Sequence, residues 1–230
     1  NRLQVPTDVA FLIVLWRLRL KLSLRDLADV LLLRGLVFSH EAARGWEGKL
    51  APLLTAALRN RRKGQIGRSR SVDETYLKVA GQWQYLYRAF DSDGNLVDVY
   101  LSTTRDQAAA EAFFRSATAV TGIIPETITS DKHASSPPAL AEVFGEGVKH
   151  RTSKFKNNHL EQDHRGVKGR TRPMRGFKTH TSAHRFCRAH DAVRNFLKPA
   201  TKRKQHVPAA RRRAIQVQRV AALRDMLAVA

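Results

Sequence analysis

Val72-Asp73-Glu74-Thr75-Tyr76-Leu77-Lys78-Val79, then Gly81, then Trp83-Gln84-Tyr85-Leu86-Tyr87-Arg88-Ala89-Phe90, is the stretch on which the fold turns. Both runs are rich in β-branched and aromatic residues, and the second alternates with the period of two expected of a half-buried strand. Gly81 marks the turn between them. Asp93-Gly94 then gives a strong hairpin signal, because glycine accepts the positive φ that tight hairpin turns demand. Asn95–Leu101 is predicted as a third strand. The first of these three antiparallel strands carries Asp73 in its middle. An acid within an apolar strand costs free energy unless it is hydrogen-bonded, paired or on a metal.

Outward from the hairpins, Asp106 is predicted to cap a helix through about Ala119, with Ala109, Ala112, Phe113 and Ala117 on its inner face. Thr127–Ser130, after Pro125, is a short strand that delivers Asp131 at its C-terminal end, where ligands of open α/β sheets bind. A helix is expected over 157–168 and another over Thr181–Leu197. Three antiparallel strands, a helix, then another strand is the order of a ribonuclease H-like α/β fold, a mixed sheet flanked by helices. In the 157–168 helix, Leu160, His164 and Val167 form the buried stripe, and Glu161, Arg165 and Lys168 occupy the adjacent face. Lys168 would lie roughly 10 Å beyond Glu161. Glu161 and Arg165 make either a surface pair worth about 0.2–0.5 kcal/mol or part of a site. Asp73, Asp131 and Glu161, converging in strand–strand–helix order, would offer hard oxygen donors suited to Mg²⁺ or Mn²⁺. Each acid alone is equally compatible with surface solvation.

Toward the N-terminus, residues 8–22 are predicted helical with Thr7 as N-cap. A second helix after Ser23 carries Leu24, Leu27, Ala28 and Leu31, and Arg34-Gly35 ends it. A third starts at Ser39, with Ala42, Trp46 and Leu50 on one face. This is a helix-turn-helix pattern over 1–58, with His40, Glu41, Arg44 and Glu47 as positions that would meet base edges. A plain three-helix bundle is the alternative, since Gly45 and Gly48 weaken the third helix. Residues 59–70 hold six basic side chains and no acid, a linker whose Arg61, Arg62 and Lys63 either track a phosphate backbone or are merely solvated. The catalytic unit would span 71–199. Residues 200–230 form a basic helical tail, either a DNA-contacting or dimerising arm or a helix packed on the domain.

Composition narrows the partners. Lys and Arg number 41 against 20 Asp and Glu, a formal net charge of +21, in a chain that is 43% hydrophobic. That combination argues for a folded protein with a polyanionic partner, nucleic acid first and an anionic membrane second. The longest apolar run, Val9–Trp16, has eight residues, whereas a bilayer takes about 20. Basic residues follow this run instead of preceding it, against a signal peptide. Cys187 is the single cysteine, excluding internal disulfides and Cys-based zinc sites. A cytoplasmic, nucleoid-associated protein without membrane contact is expected. Asn1 in place of Met puts the expected natural start upstream. Trp83, Tyr85 and Tyr87 either stack on bases or pack the sheet.

The residues carry a clear resemblance. Val72–Val79 with Trp83 and Tyr85-Leu86-Tyr87-Arg88-Ala89 resembles the opening of a bacterial DDE transposase of insertion-sequence family six. Asp91-Ser92-Asp93-Gly94, Thr129-Ser130-Asp131 and His150-Arg151-Thr152-Ser153 extend it, as do Asn157–Arg165 and Pro173-Met174-Arg175-Gly176-Phe177. With Ser23–Leu27 and Trp46, the likeness runs over about residues 5 to 198. It implies a triad of Asp73, Asp131 and Glu161 holding two Mg²⁺ or Mn²⁺ ions, nicking at terminal inverted repeats, and strand transfer into target DNA without a covalent protein–DNA intermediate. It further implies Lys168 on phosphate near the cut, a homo-oligomer on paired double-stranded DNA ends, and repeat recognition by the helix-turn-helix. Twenty-nine residues separate Asp131 from Glu161, fewer than is usual in the family, Ser136 stands where a Tyr is expected, and Lys132 and Ala134 are atypical. A transposase-like DNA-binding protein that has lost catalysis is therefore the competing expectation, and a nuclease that only hydrolyses is a third.

Overall fold

The computed structural model describes residues 5–131, 134–152, 166–174, 176–200, 202 and 205–228. Three helices come first: α1 (Thr7–Arg19), α2 (Leu24–Leu32) and α3 (His40–Asn60). Strands β1 (Ser69–Val79), β2 (Gln82–Asp91) and β3 (Leu96–Ser102) follow, then α4 (Gln107–Thr121), β4 (Thr127–Ser130), α5 (Ser136–Phe144) and β5 (Lys149–Thr152). The chain ends with α6, helical at residues 166–171, α7 (His180–Leu197) and α8 (Ala209–Ala228).

The sheet has the order β3-β2-β1-β4-β5. β1–β2 and β2–β3 pair antiparallel, while β1–β4 and β4–β5 pair parallel. That is the ribonuclease H-like arrangement expected from the element order. The first hairpin closes on Ala80 (φ 48°) and Gly81 (φ 82°), two consecutive positive-φ residues whose turn matches the twist of the strands. Asp106 caps α4 by accepting from the Ala109 N–H at 2.9 Å, as predicted.

One face of the sheet packs Leu77, Val79, Leu86 and Phe90 against Phe186, Ala189 and Val193 of α7, and the same core takes in Phe11, Leu15 and Leu18 of α1 and Leu54 and Leu58 of α3. The other face sets Val72, Tyr87, Ala89 and Val97 against Phe113, Phe114 and Ala117 of α4 and Leu140 of α5. The three N-terminal helices also share a small cluster of Ile13, Leu27, Leu31 and Ala43. α8 is a packed helix, with Leu223 fully buried in the core beside α7 and Arg219 donating to the Phe196 carbonyl at 2.8 Å.

Several expectations are corrected. Thr7 is the first residue of α1, and Pro6 holds the N-cap position without a side-chain cap. The buried stripe of α3 is Ala43, Glu47, Ala51, Leu54 and Leu58; Glu47 pairs with buried Arg17 at 3.2 Å and does not face solvent. Arg62, expected on DNA phosphate, is 7% exposed and donates to the Val97 carbonyl at 3.3 Å. Two other arginines of the segment behave alike: Arg59 pairs with Asp98 at 2.8 Å, and buried Arg70 donates to Thr121 Oγ1 and the Ile123 carbonyl. The segment predicted as a basic linker, tracking phosphate or merely solvated, is thus stitched to the sheet and α4 through Arg59, Arg62 and Arg70, because carbonyls and Asp98 sit where these guanidiniums reach. α5 and β5 were not predicted. α5 begins on Ser136-Pro137-Pro138, with its prolines in the first turn, where their missing N–H costs nothing. β5 is short and mostly exposed.

Candidate active site

β1 and β4 run parallel, with Ser69, Ser71 opposite Thr127, Thr129. Continuing that register by two residues puts Asp73 level with Asp131, on strands about 4.8 Å apart, at the C-terminal end of β4 where backbone pairing ceases. Alternation along β1 sends Asp73 to the side of Leu77 and Val79, under α7, and Glu74 to the side of α4. Asp73 is half-buried and takes the Glu74 backbone N–H on Oδ1 at 2.8 Å. Burial raises its carboxyl to about 6; the Glu74 N–H and Arg88 oppose this, and the negative charges of Asp131 and Glu74 add to it. The two aspartates therefore feel one another, as two anions at one strand opening must.

Around them stands a polar frame that sequence reasoning did not anticipate. Arg105, from the β3–α4 loop, donates through Nε to Glu74 Oε2 at 2.5 Å and places Nη2 3.7 Å from Asp131 Oδ2. Burial works against its charge, but Glu74 and Asp131 outweigh this and raise its pKa. Ser130 Oγ donates to the Asp131 carbonyl at 2.8 Å and lies 2.9 Å from His150 Nε2, tying the end of β4 to β5. Burial lowers the His150 pKa. Glu74 follows Asp73 directly, and that adjacency was the one available signal for it. Arg105 sits in an aperiodic loop and gave none.

Behind Asp73, its cross-strand partner Arg88 pairs with Asp191 of α7 at 2.7 Å, each side chain 1% exposed. Asp191 also meets His190 Nδ1 at 2.9 Å. This pair anchors β2 to α7.

Of the other predicted site residues, Glu161 and Arg165 lie outside the described residues. Lys168 is exposed on α6, its Nζ 4.3 Å from the Tyr76 ring centroid, and so stands three residues along β1 from Asp73. Val167 is 1% exposed, on the inner face as expected. His40 and Arg44 are partly exposed, each against Glu41 at 3.2 and 3.3 Å. Arg61 and Lys63 are exposed, Arg61 with its guanidinium 5.6 Å from the Phe196 ring. Among the described residues no three His, Cys, Asp or Glu side chains group as for a metal ion; Asp73 and Asp131 come together, and their carboxylate oxygens are the hard donors that a divalent cation of the Mg²⁺ type prefers. No helix among the described residues is long and apolar enough to cross a membrane.

Comparison with known proteins bears on this geometry. The family model for the DDE domain of IS240-type transposases matches residues 67–200, the stretch that builds the sheet and α4 to α7. The chain is 36% identical over 172 residues to the Staphylococcus aureus transposase for insertion sequence-like element IS431mec, covering 73% of this chain and 75% of that protein. The same identity and coverage hold for the S. aureus transposase of IS257 in transposon Tn4003. Among solved structures, a simian T-cell lymphotropic virus intasome in complex with PP2A regulatory subunit B56 gamma aligns with a TM-score of 0.43 at 15% identity, over 65% of this chain and 62% of that one. The HTLV-2 integrase catalytic core domain in complex with magnesium aligns with a TM-score of 0.40 at 14% identity, over 56% and 86%. On the family match and the staphylococcal relatives, the chain belongs to the DDE transposases of insertion-sequence family six.

Proposed function

We propose that the chain cuts double-stranded DNA at the terminal inverted repeats of its element and joins the freed 3′ end to target DNA, with Asp73, Asp131 and Glu161 holding two divalent ions, Mg²⁺ or Mn²⁺. The observation that carries the proposal is the levelling of Asp73 with Asp131 at the β1–β4 opening, with a repulsion between them that a cation would relieve. Divalent ions bound there supply charge stabilisation at the attacking and leaving oxygens of an in-line displacement. The protein's own part is positional. The sheet and the Glu74 N–H hold Asp73, and Arg105 and Ser130 hold the Asp131 loop. Lys168 and Arg165 take phosphates beside the cut, Arg61 and Lys63 take the flanking backbone, and His40 and Arg44 of the 1–58 helices face base edges of the repeat. A homo-oligomer pairs the two ends.

A second reading, a DNA-binding protein that has lost catalysis, draws on one observation: the Arg105 guanidinium stands 3.7 Å from Asp131, where a cation already balances the acid. Incubation of purified protein with a duplex carrying the terminal repeat, with and without Mg²⁺, separates the two, with Asp73→Asn as control. Mg²⁺-dependent nicking and joining, absent from the variant, is the expected result. Binding without nicking or joining replaces the first reading by the second.

A further inference from the structure

Tyr76 on β1 and Trp83 on β2 are 51% and 57% exposed, large aromatic surfaces left in water. Their ring centroids are 5.0 Å apart with planes at 86°, so they form one edge-to-face unit. They stand apart from the other aromatics of this sheet: Tyr87 is 1% exposed against Phe113, and Tyr85 packs against the α4 core. Two ammonium groups adjoin the unit. Lys78, opposite Trp83 in the ladder, places Nζ 5.8 Å from its ring centroid, and Lys168 places Nζ 4.3 Å from that of Tyr76. Tyr76 is three residues from Asp73, roughly 10 Å along the strand, and by alternation lies on the Glu74 face of β1, so a strand leaving Asp73 meets the rings by passing around the open end of the sheet.

Exposed aromatic rings interleaved with cations are how a protein holds an unpaired polynucleotide strand: bases stack on the rings and phosphates meet the charges. A duplex offers the charges its backbone but keeps its base faces internal, so the rings would add nothing to its binding. We propose that Tyr76 and Trp83 are a stacking platform for unpaired bases of the DNA strand flanking the cleavage position, with Lys78 and Lys168 on the adjoining phosphates. This rests on the reading of Asp73 as catalytic for its location, and on the ring and ammonium geometry for its chemistry.

The test is binding of the full chain to a fluorescent oligothymidine and, separately, to a blunt duplex of unrelated sequence, by anisotropy in chelator. Trp83→Ala and, independently, Tyr76→Ala are expected to weaken oligothymidine binding by about 5- to 100-fold, the range for removing a base-stacking aromatic, with duplex binding unchanged within about twofold. Trp83→Phe, which keeps a ring, should retain most of the affinity. Circular dichroism and light scattering on each variant report folding and assembly. Unchanged oligothymidine affinity in both alanine variants overturns the proposal. So does an equal loss on duplex, or a loss of self-association alone, which would make the patch a contact with a second copy. The same aromatic substitutions made in the Asp73→Asn background serve as the separating control: the fold-loss on oligothymidine should match that in the parent chain, so absent catalysis leaves this result standing, and a failed platform leaves the catalytic reading intact.

Discussion

Replacing Asp191 by Asn should expose how much of the frame behind the site depends on one buried ion pair. Arg88 Nε and Asp191 Oδ2 are 2.7 Å apart and both side chains are 1% exposed. Burial alone would raise the Asp191 carboxyl, but the Arg88 charge and the His190 hydrogen bond outweigh it and hold the group below the usual carboxylate range. Asparagine keeps the shape and removes the charge, so the guanidinium stays buried without its counter-ion. Breaking such a pair from one side costs about 3–5 kcal/mol. For a chain of this length each kcal/mol moves Tm by about 2–4 °C, so a fall of roughly 6–20 °C follows. Urea unfolding at neutral pH with an unchanged m-value, and a thermal melt, measure it. The double variant Arg88→Met/Asp191→Leu removes both charges and should return to within about 2 kcal/mol of the parent, because apolar replacement of a buried pair is often close to neutral. The pH sign follows from the lowered carboxyl: the pair stabilises fully above the ordinary carboxylate pKa and is lost only as pH falls through the lower folded value. A loss below about 1 kcal/mol in Asp191→Asn, or a double variant as unstable as the two singles summed, would refute this account.

Three further outcomes are expected. Burial first, then the charges of Arg188, His180 and Arg59, lower His184 to about 4. The unfolded chain therefore takes a proton near 6.5 that the folded chain refuses until about 4, and stability present above 6.5 should drop by about 1–2 kcal/mol by pH 5; His184→Leu should flatten that slope in denaturant titrations at the two pH values. Arg105→Met frees the Asp131 loop from a charge-assisted anchor, and single-turnover cleavage should fall on the order of tenfold, the equivalent of about 1.4 kcal/mol, with duplex binding unchanged in a gel-shift assay. Leu223→Ala empties a fully buried position of α8 and should cost about 2–4 kcal/mol in urea unfolding; a loss of DNA binding with no loss of stability would instead make α8 a DNA-contacting arm.

The sheet was legible because its signals are local. Alternation over Trp83–Phe90, glycine at the two turns and Asp106 before an apolar helix each act within a few residues, and each element formed where they placed it. Asp73 and Asp131 were legible for a related reason: an acid inside or ending an apolar strand is anomalous wherever the strand goes. Most of what failed was decided by partners distant in sequence. The helix that begins at Ser136-Pro137-Pro138 went unpredicted because a helix start depends on what precedes and packs beneath it. Glu47 read as exposed because its partner, Arg17, lies thirty residues away on α1. Arg105 has no local pattern at all, and only the folding of β3 back toward β1 brings it to Glu74.

The same distinction limits what net charge says about the DNA-facing surface. Arg17, Arg62, Arg70, Arg88 and Arg170 are all under 8% exposed, so part of the basic excess that pointed to a polyanion never meets one. Arg17 and Arg88 are balanced by Glu47 and Asp191. Arg62, Arg70 and Arg170 instead donate to backbone carbonyls or a hydroxyl: Val97, then Thr121 and Ile123, then Arg17 and Leu22. Burial lowers each of these three to about 10, which still leaves them charged at neutral pH, held by oxygen dipoles and tying α1, β3 and the end of α4 together. A count of lysines and arginines thus identifies the class of partner, while the cations that can release counterions from DNA are those left outside, among them Lys168, Lys78, Arg61, Lys63 and Arg44.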